Sequence, residues 1–195
     1  MSLLEKFNIC NGGDWITAGK DVQYKVIDRV LYFQCTHGIS DWKQNFKAGQ
    51  DVYCCSDIPF KAHEGFTELW LSVREKIEKL DFGYIVGYSE GAALAVFAHE
   101  NYLHRKGFEP MTWAFGCPRV LYEPSKELKK RFSNFVRISN FGDIVTMVPL
   151  FIMGYRHIGV NRILNHGVSK PKGVSWILWL THHCPEYYQE ELKRE

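Results

Sequence analysis

Apolar positions follow two rhythms along this chain. Between residues 64 and 80, Phe66, Leu69, Trp70, Val73, Ile77 and Leu80 recur at steps of three and four. That spacing predicts a helix with one buried face. Elsewhere the apolar residues come in short runs. Residues 22–27 and 30–35 flank Asp28-Arg29 and are rich in Val, Ile, Tyr and Phe, as strands are. Residues 84–88 form a run suited to a buried strand, which leads directly into the Ala-rich helix former 92–98. Residues 111–115 and 135–138 read as further strands. Residues 125–132 read as a helix with Ser125 as N-cap, and 185–193 as a terminal helix with Pro185 in its first turn. Strands alternating with helices predict an α/β fold, with a mainly parallel central sheet flanked by helices and right-handed crossovers. No repeat, low-complexity tract or linker divides the chain, so residues 1–195 are expected to form a single compact domain.

Composition narrows the function classes. The 195 residues are 46% hydrophobic and 24% charged, which supports a real core and argues against disorder. Lys plus Arg number 24 and Asp plus Glu 22, a net charge of +2. That near-balance makes no overall electrostatic case for a nucleic-acid partner or an anionic membrane. Six cysteines, at 10, 35, 54, 55, 117 and 184, show neither CxxC nor zinc spacing. Residues 1–7 lack the basic start and long apolar stretch of a signal peptide, and the apolar run 176–180 is too short to span a bilayer. The expectation is a soluble, cytoplasmic protein with reduced thiols, no integral membrane segment, no metal and no cofactor.

Gly87-Tyr88-Ser89-Glu90-Gly91 is G-x-S-x-G. With a strand before it and a helix after it, the motif describes a sharp turn that lifts a serine hydroxyl clear of a sheet. The glycines are needed where side chains would clash across the turn. The following helix directs its first N–H groups at the serine, which favours anionic charge there. The alternative is an ordinary strand-to-helix turn that matches by chance.

The residues around this turn resemble the class 3 lipases, the fungal-lipase-like branch of the α/β-hydrolases. Gly87 to Ala95 resembles that family's elbow. Phe33-Gln34-Cys35-Thr36 followed by Asp41-Trp42-Lys43-Gln44-Asn45 resembles its F-R-G-T/S and D-W-x-x-N blocks. His63-Glu64-Gly65-Phe66 resembles H-x-G-F, and Phe115 to Val120 resembles F-G-x-P-R-V. Asn140 to Val145 resembles the segment holding the family's acid. Tyr155 to Gly159 resembles Y-x-H-x-G, and His183 to Tyr187 resembles H-S-x-x-Y. The blocks run in family order from about residue 30 to the C-terminus. Three departures stand out: Gln34 for arginine, Cys35 for glycine beside the expected oxyanion hole, and Ala92 for glycine.

The resemblance implies a serine carboxylester hydrolase that cleaves acyl esters, lipids in particular, through an acyl-enzyme. Ser89 would be the nucleophile and Asp143 the orienting acid. His183 would be the base, in the serine–acid–histidine chain order of α/β-hydrolases. His182 is the alternative base, because neighbours in an extended segment point opposite ways and only one can face Ser89. The oxyanion hole would comprise the Glu90 N–H and Thr36. His157 and His63 resemble structural positions, while His37, His99, His104 and His166 read as surface or loop residues. Ile39, Trp42, Phe46, Ile58, Pro59 and Phe60 form either an amphipathic lid or ordinary core. The segment 174–180 lines an acyl site, touches a transient lipid interface, or is a buried strand or helix turn. Three other functions stay open. One is a catalytically impaired hydrolase fold used for binding. Another is acyl transfer by the same three residues. The last is a metal or redox protein using His182, His183, Cys184, Cys54 and Cys55, for which no ligand spacing speaks.

Overall fold

The computed structural model describes residues 1–34, 49–164 and 182–195. Three antiparallel strands come first in the main sheet: β1 (Ile16–Ala18), β2 (Val22–Ile27) and β3 (Val30–Phe33). Four parallel strands continue it: β6 (Tyr84–Tyr88), β7 (Met111–Phe115), β9 (Phe135–Asn140) and β11 (Val160–Leu164). The order across this seven-stranded sheet is β1-β2-β3-β6-β7-β9-β11. The α/β architecture with a mainly parallel sheet is therefore as the strand–helix alternation implied.

A second sheet of four short antiparallel strands was not visible in the pattern. It comprises β4 (Gln50–Tyr53), β5 (Phe60–His63), β8 (Leu121–Tyr122) and β10 (Tyr155–Arg156), ordered β10-β8-β5-β4. Its strands have two to four residues, too few for a period to show.

Side chains of the central strands alternate between two cores, because successive Cβ atoms leave a strand on opposite faces. Leu31, Phe33, Ile85 and Ala114 face a core built with α2 (Glu64–Ile77) and α3 (Glu90–Lys106). The small sheet joins that core through Tyr53, Phe60 and Leu121. Val30, Tyr32, Val86, Tyr88 and Phe115 face the other core, with Phe7 and Cys10 of α1 (Leu3–Cys10) and Tyr188 and Leu192 of α5 (Pro185–Lys193). A short helix, α4 (Lys126–Lys130), is capped by Ser125, which accepts from Leu128 N–H at 3.1 Å.

Helix α3 is buried continuously from Gly91 to Tyr102. Small residues around its whole circumference let it lie between the sheet and α2. That burial corrects the expectation for His99. It is fully buried, with Nδ1 2.8 Å from Thr112 Oγ1 and Nε2 3.0 Å from Arg131 O. His104, one turn later, is exposed as expected and pairs with Asp57 at 2.7 Å. Helix α1, which the apolar pattern also missed, starts with a capping box. Ser2 Oγ accepts from Glu5 N–H at 3.1 Å, and the Glu5 carboxylate accepts from Ser2 N–H at 2.6 Å.

Candidate active site

Strand β6 ends at Tyr88, and Ser89 turns into α3 with φ 57° and ψ −118°. This left-handed conformation costs a non-glycine residue about 1–2 kcal/mol. The surrounding geometry enforces it. Ser89 N–H donates to Phe115 O at 2.9 Å and continues the ladder to β7. Ser89 O accepts from Ala92 N–H at 3.0 Å and starts the helix. A Cβ on Gly87 would stand 2.8 Å from Ala92 Cα, and one on Gly91 would stand 2.7 Å from the Phe33 carbonyl carbon. Both glycines are therefore sterically required by the turn.

Ser89 Oγ lies 2.7 Å from His183 Nε2, and His183 Nδ1 lies 2.8 Å from Asp143 Oδ2 and 3.0 Å from Oδ1. All three residues are buried. Because a carboxylate only accepts, the Nδ1 atom carries the proton and Nε2 is left to accept from the serine. Asp143 stands at the turn after β9, where its Oδ1 also accepts from Val145 N–H at 2.9 Å. The structure brings together Ser89, Asp143 and His183. It leaves out His182, which is half-buried, points its Nδ1 to Phe141 O and stacks on Tyr187 with centroids 4.6 Å apart.

Two tyrosines to which the sequence assigns no role support this array. The Tyr188 hydroxyl donates to Asp143 Oδ2 at 2.6 Å and accepts from Asn140 N–H at 3.2 Å. Burial, and then the Asp143 carboxylate, hold the Tyr188 phenol well above its ordinary pKa, so it stays a donor. The Tyr88 hydroxyl donates to His183 O, and its ring stacks on the imidazole at 5.2 Å with planes 20° apart. The sequence motif pointed to Tyr187, but α5 turns Tyr188 inward with Glu191 and Leu192. The three- and four-residue spacing of 188, 191 and 192 was the available signal. Phe7 of α1 closes the cluster, with its ring 5.3 Å from Tyr88, 4.9 Å from Phe115 and 5.5 Å from Tyr188.

Gly116 supplies the space for the imidazole. Its φ is 57°, and a Cβ there would stand 2.7 Å from His183 Cε1. Glu90, expected to offer its N–H to an oxyanion, is the first residue of α3. Thr36 and Cys35 lie outside the described residues, as do Ile39, Trp42, Phe46, His37, His166 and the segment 174–180. Of the remaining lid-or-core residues, Phe60 is buried core on β5 and Ile58 packs against that core, while Pro59 is exposed.

The remaining titratable groups are structural. Burial pushes His63 down to about 4. Burial, and then Arg137, push His157 down to about 3, so its Nε2–H donates as a neutral ring to Thr146 O at 2.7 Å. Burial pushes the Cys117 thiol up to about 12, far from a reactive thiolate. Among the described residues, no three His, Cys, Asp or Glu side chains converge on a point that could hold a metal. Nor, among them, is any helix long and apolar enough to cross a membrane.

The model of the family described as Lipase (class 3) matches residues 30–153. That span contains Ser89 and Asp143 and ends before His183. Among solved structures, the chain is similar to a mono- and diacylglycerol lipase from Aspergillus oryzae, at 26% identity and a TM-score of 0.65, over 83% of this chain and 64% of that one. It is similar to lipase II from Rhizopus niveus at 21% identity and a TM-score of 0.66, over 80% and 67%. It is also similar to the Rhizomucor miehei lipase crystallised with its propeptide, at 18% identity and a TM-score of 0.64, over 79% and 56%. The chain thus spans a little under two thirds of the Aspergillus oryzae enzyme. No curated protein matches it.

Proposed function

Since the chain belongs to the class 3 lipase family and has its α/β-hydrolase fold, we propose that it is a serine ester hydrolase that cleaves acyl esters, lipids above all, through an acyl-enzyme. The observation that carries this reading is the continuous hydrogen-bonded line from Ser89 Oγ through His183 to Asp143, at 2.7 and 2.8 Å. A serine hydroxyl is a weak nucleophile until a base takes its proton, and the base must be held in the right tautomer.

In the proposed reaction, His183 Nε2 removes the Ser89 proton as Oγ attacks the ester carbonyl. The charge that develops on the carbonyl oxygen is met by the Glu90 N–H at the start of α3 and, on the family resemblance, by Thr36. Asp143 holds the Nδ1 proton and stabilises the imidazolium. His183 then protonates the departing alcohol. Water activated by the same imidazole hydrolyses the acyl-enzyme and regenerates Ser89. Each donor to the oxyanion contributes about 10²–10³ in rate in enzymes of this type.

Hydrolysis of p-nitrophenyl esters of increasing acyl length, with the native chain beside Ser89→Ala, tests the reading. Activity that disappears in the variant identifies the nucleophile, and the chain-length profile separates an esterase from a lipase. A folded protein inactive on every ester, with micelles supplied, would refute hydrolysis and favour a binding role for the fold.

A further inference from the structure

The segment that follows Asp143 exposes four large apolar side chains in a row. Leu150, Phe151, Ile152 and Met153 are 49%, 58%, 87% and 40% exposed. Water-facing apolar residues are ordinary when scattered, but a contiguous group marks a contact surface. This group sits on a single 3₁₀ turn, Phe151–Met153, closed by Met153 N–H to Leu150 O at 3.0 Å. The exposure of Ile152 makes the turn a protruding tip rather than a groove.

Two arginines build the tip. Arg119 Nη1 donates to Pro149 O at 2.9 Å and also to Met147 O, and its backbone N–H donates to Val148 O at 2.8 Å. Arg156 Nη1 donates to Phe151 O at 2.6 Å and to Tyr155 O at 3.0 Å, with its guanidinium 3.5 Å over the Phe151 ring. A guanidinium has five N–H donors, and here each uses one nitrogen on carbonyls. Among the described residues, neither arginine forms an ion pair. Glu123 meets the tip through its backbone, N–H to Gly154 O at 3.0 Å.

The charge pattern along the chain agrees. The net charge of +2 averages over an uneven distribution: no Asp or Glu occurs between Asp143 and Glu186, a stretch that holds Arg156, Lys170, Lys172 and also Arg162, which pairs with Glu195. An apolar tip with cations at its base complements a fluid apolar phase bounded by anionic head groups.

We propose that residues 150–153 insert into the surface of a membrane containing anionic phospholipid, with Arg119 and Arg156 against the lipid phosphates. The tip follows Asp143 by seven residues in the chain, beyond the turn Val145–Met147. The inference rests on the ester-hydrolase reading for its purpose, but its test does not require catalysis.

The test is co-sedimentation of the Ser89→Ala chain with vesicles of phosphatidylcholine alone or mixed equally with phosphatidylglycerol. The expected result is binding to the mixed vesicles. It should weaken about fivefold per arginine on neutral vesicles or in high salt. Phe151→Ser with Ile152→Ser should lower it by about tenfold per side chain. The same pair in the native chain should leave hydrolysis of a soluble short-chain ester unchanged, which also shows that it folds. Absence of vesicle binding, or equal binding by the serine pair, overturns the docking surface even if ester hydrolysis is found. A dimer in light scattering that the serine pair abolishes would assign the tip to a second copy and overturn it as well. Vesicle binding without any ester hydrolysis would refute the enzyme reading and leave the surface standing.

Discussion

Asp143→Asn is the sharpest test of the proposed chemistry, because the structure shows why an amide cannot replace that carboxylate. Three donors converge on Asp143: His183 Nδ1–H at 2.8 Å, the Tyr188 hydroxyl at 2.6 Å and Val145 N–H at 2.9 Å. An amide offers one accepting oxygen and an NH2 group. With its oxygen toward Val145, the NH2 group faces Tyr188 and the imidazole. His183 must then move its proton to Nε2, where it points at Ser89 and cannot accept the serine proton. With the oxygen turned the other way, the Val145 N–H faces a donor. One buried donor is left unpaired either way, at a cost of about 1–3 kcal/mol in stability. The tautomer change should lower kcat by about 10⁴, or about 5.5 kcal/mol of barrier. Steady-state hydrolysis of a short p-nitrophenyl ester gives kcat and KM, and urea unfolding gives the stability. A folded variant that retains more than a tenth of native kcat would refute the argument.

Three further outcomes are expected. Tyr188→Phe removes a charge-assisted hydrogen bond to the carboxylate. It should cost about 1.5–3 kcal/mol in urea unfolding and lower kcat about tenfold with KM unchanged; an unchanged kcat would reduce Tyr188 to packing. Phe7→Ala empties the centre of an aromatic cluster that touches Tyr88 and Tyr188. It should cost about 3–5 kcal/mol and reduce ester hydrolysis through the loosened array. Acid should destabilise the fold through His63 and His157, whose folded values of about 4 and 3 lie below the unfolded value of about 6.5. Between those limits the unfolded chain binds more protons, so stability falls as pH drops below about 6.5. Each histidine should remove about 2 kcal/mol between pH 7 and pH 5, measured by urea titration at the two pH values. A His63→Asn variant should show the shallower dependence.

Much of this molecule is legible in its sequence. The helix over 64–77 and the strands β6, β7 and β9 follow from spacing alone, because each lies against a core that imposes a period. The turn at Ser89 could be read locally, since two glycines four residues apart report a clash that any backbone of that shape would suffer. Asp143 and His183 required more. A turn-bound aspartate and one of two adjacent histidines are chemically ordinary, and their candidacy came from a resemblance to a family. His183 faces Ser89 and His182 does not because α5 and Tyr88 hold the segment in one orientation, which is a tertiary effect. His99 was misplaced for the same kind of reason: polarity suggested a surface, but α3 is enclosed on every side.

Local order along the chain sets where strands and helices alternate, which serine stands at a strained turn, and that charge is nearly balanced overall. Those properties depend on neighbours a few residues apart. Long-range packing sets which histidine meets the serine, that Tyr188 rather than Tyr187 supports the carboxylate, and that four apolar side chains meet water beside two arginines. The contacts of His183 with Ser89, of Tyr188 with Asp143 and of Arg119 with the tip join residues dozens of positions apart. Packing at that distance is set by the whole sheet and its two cores, so no local pattern could report it.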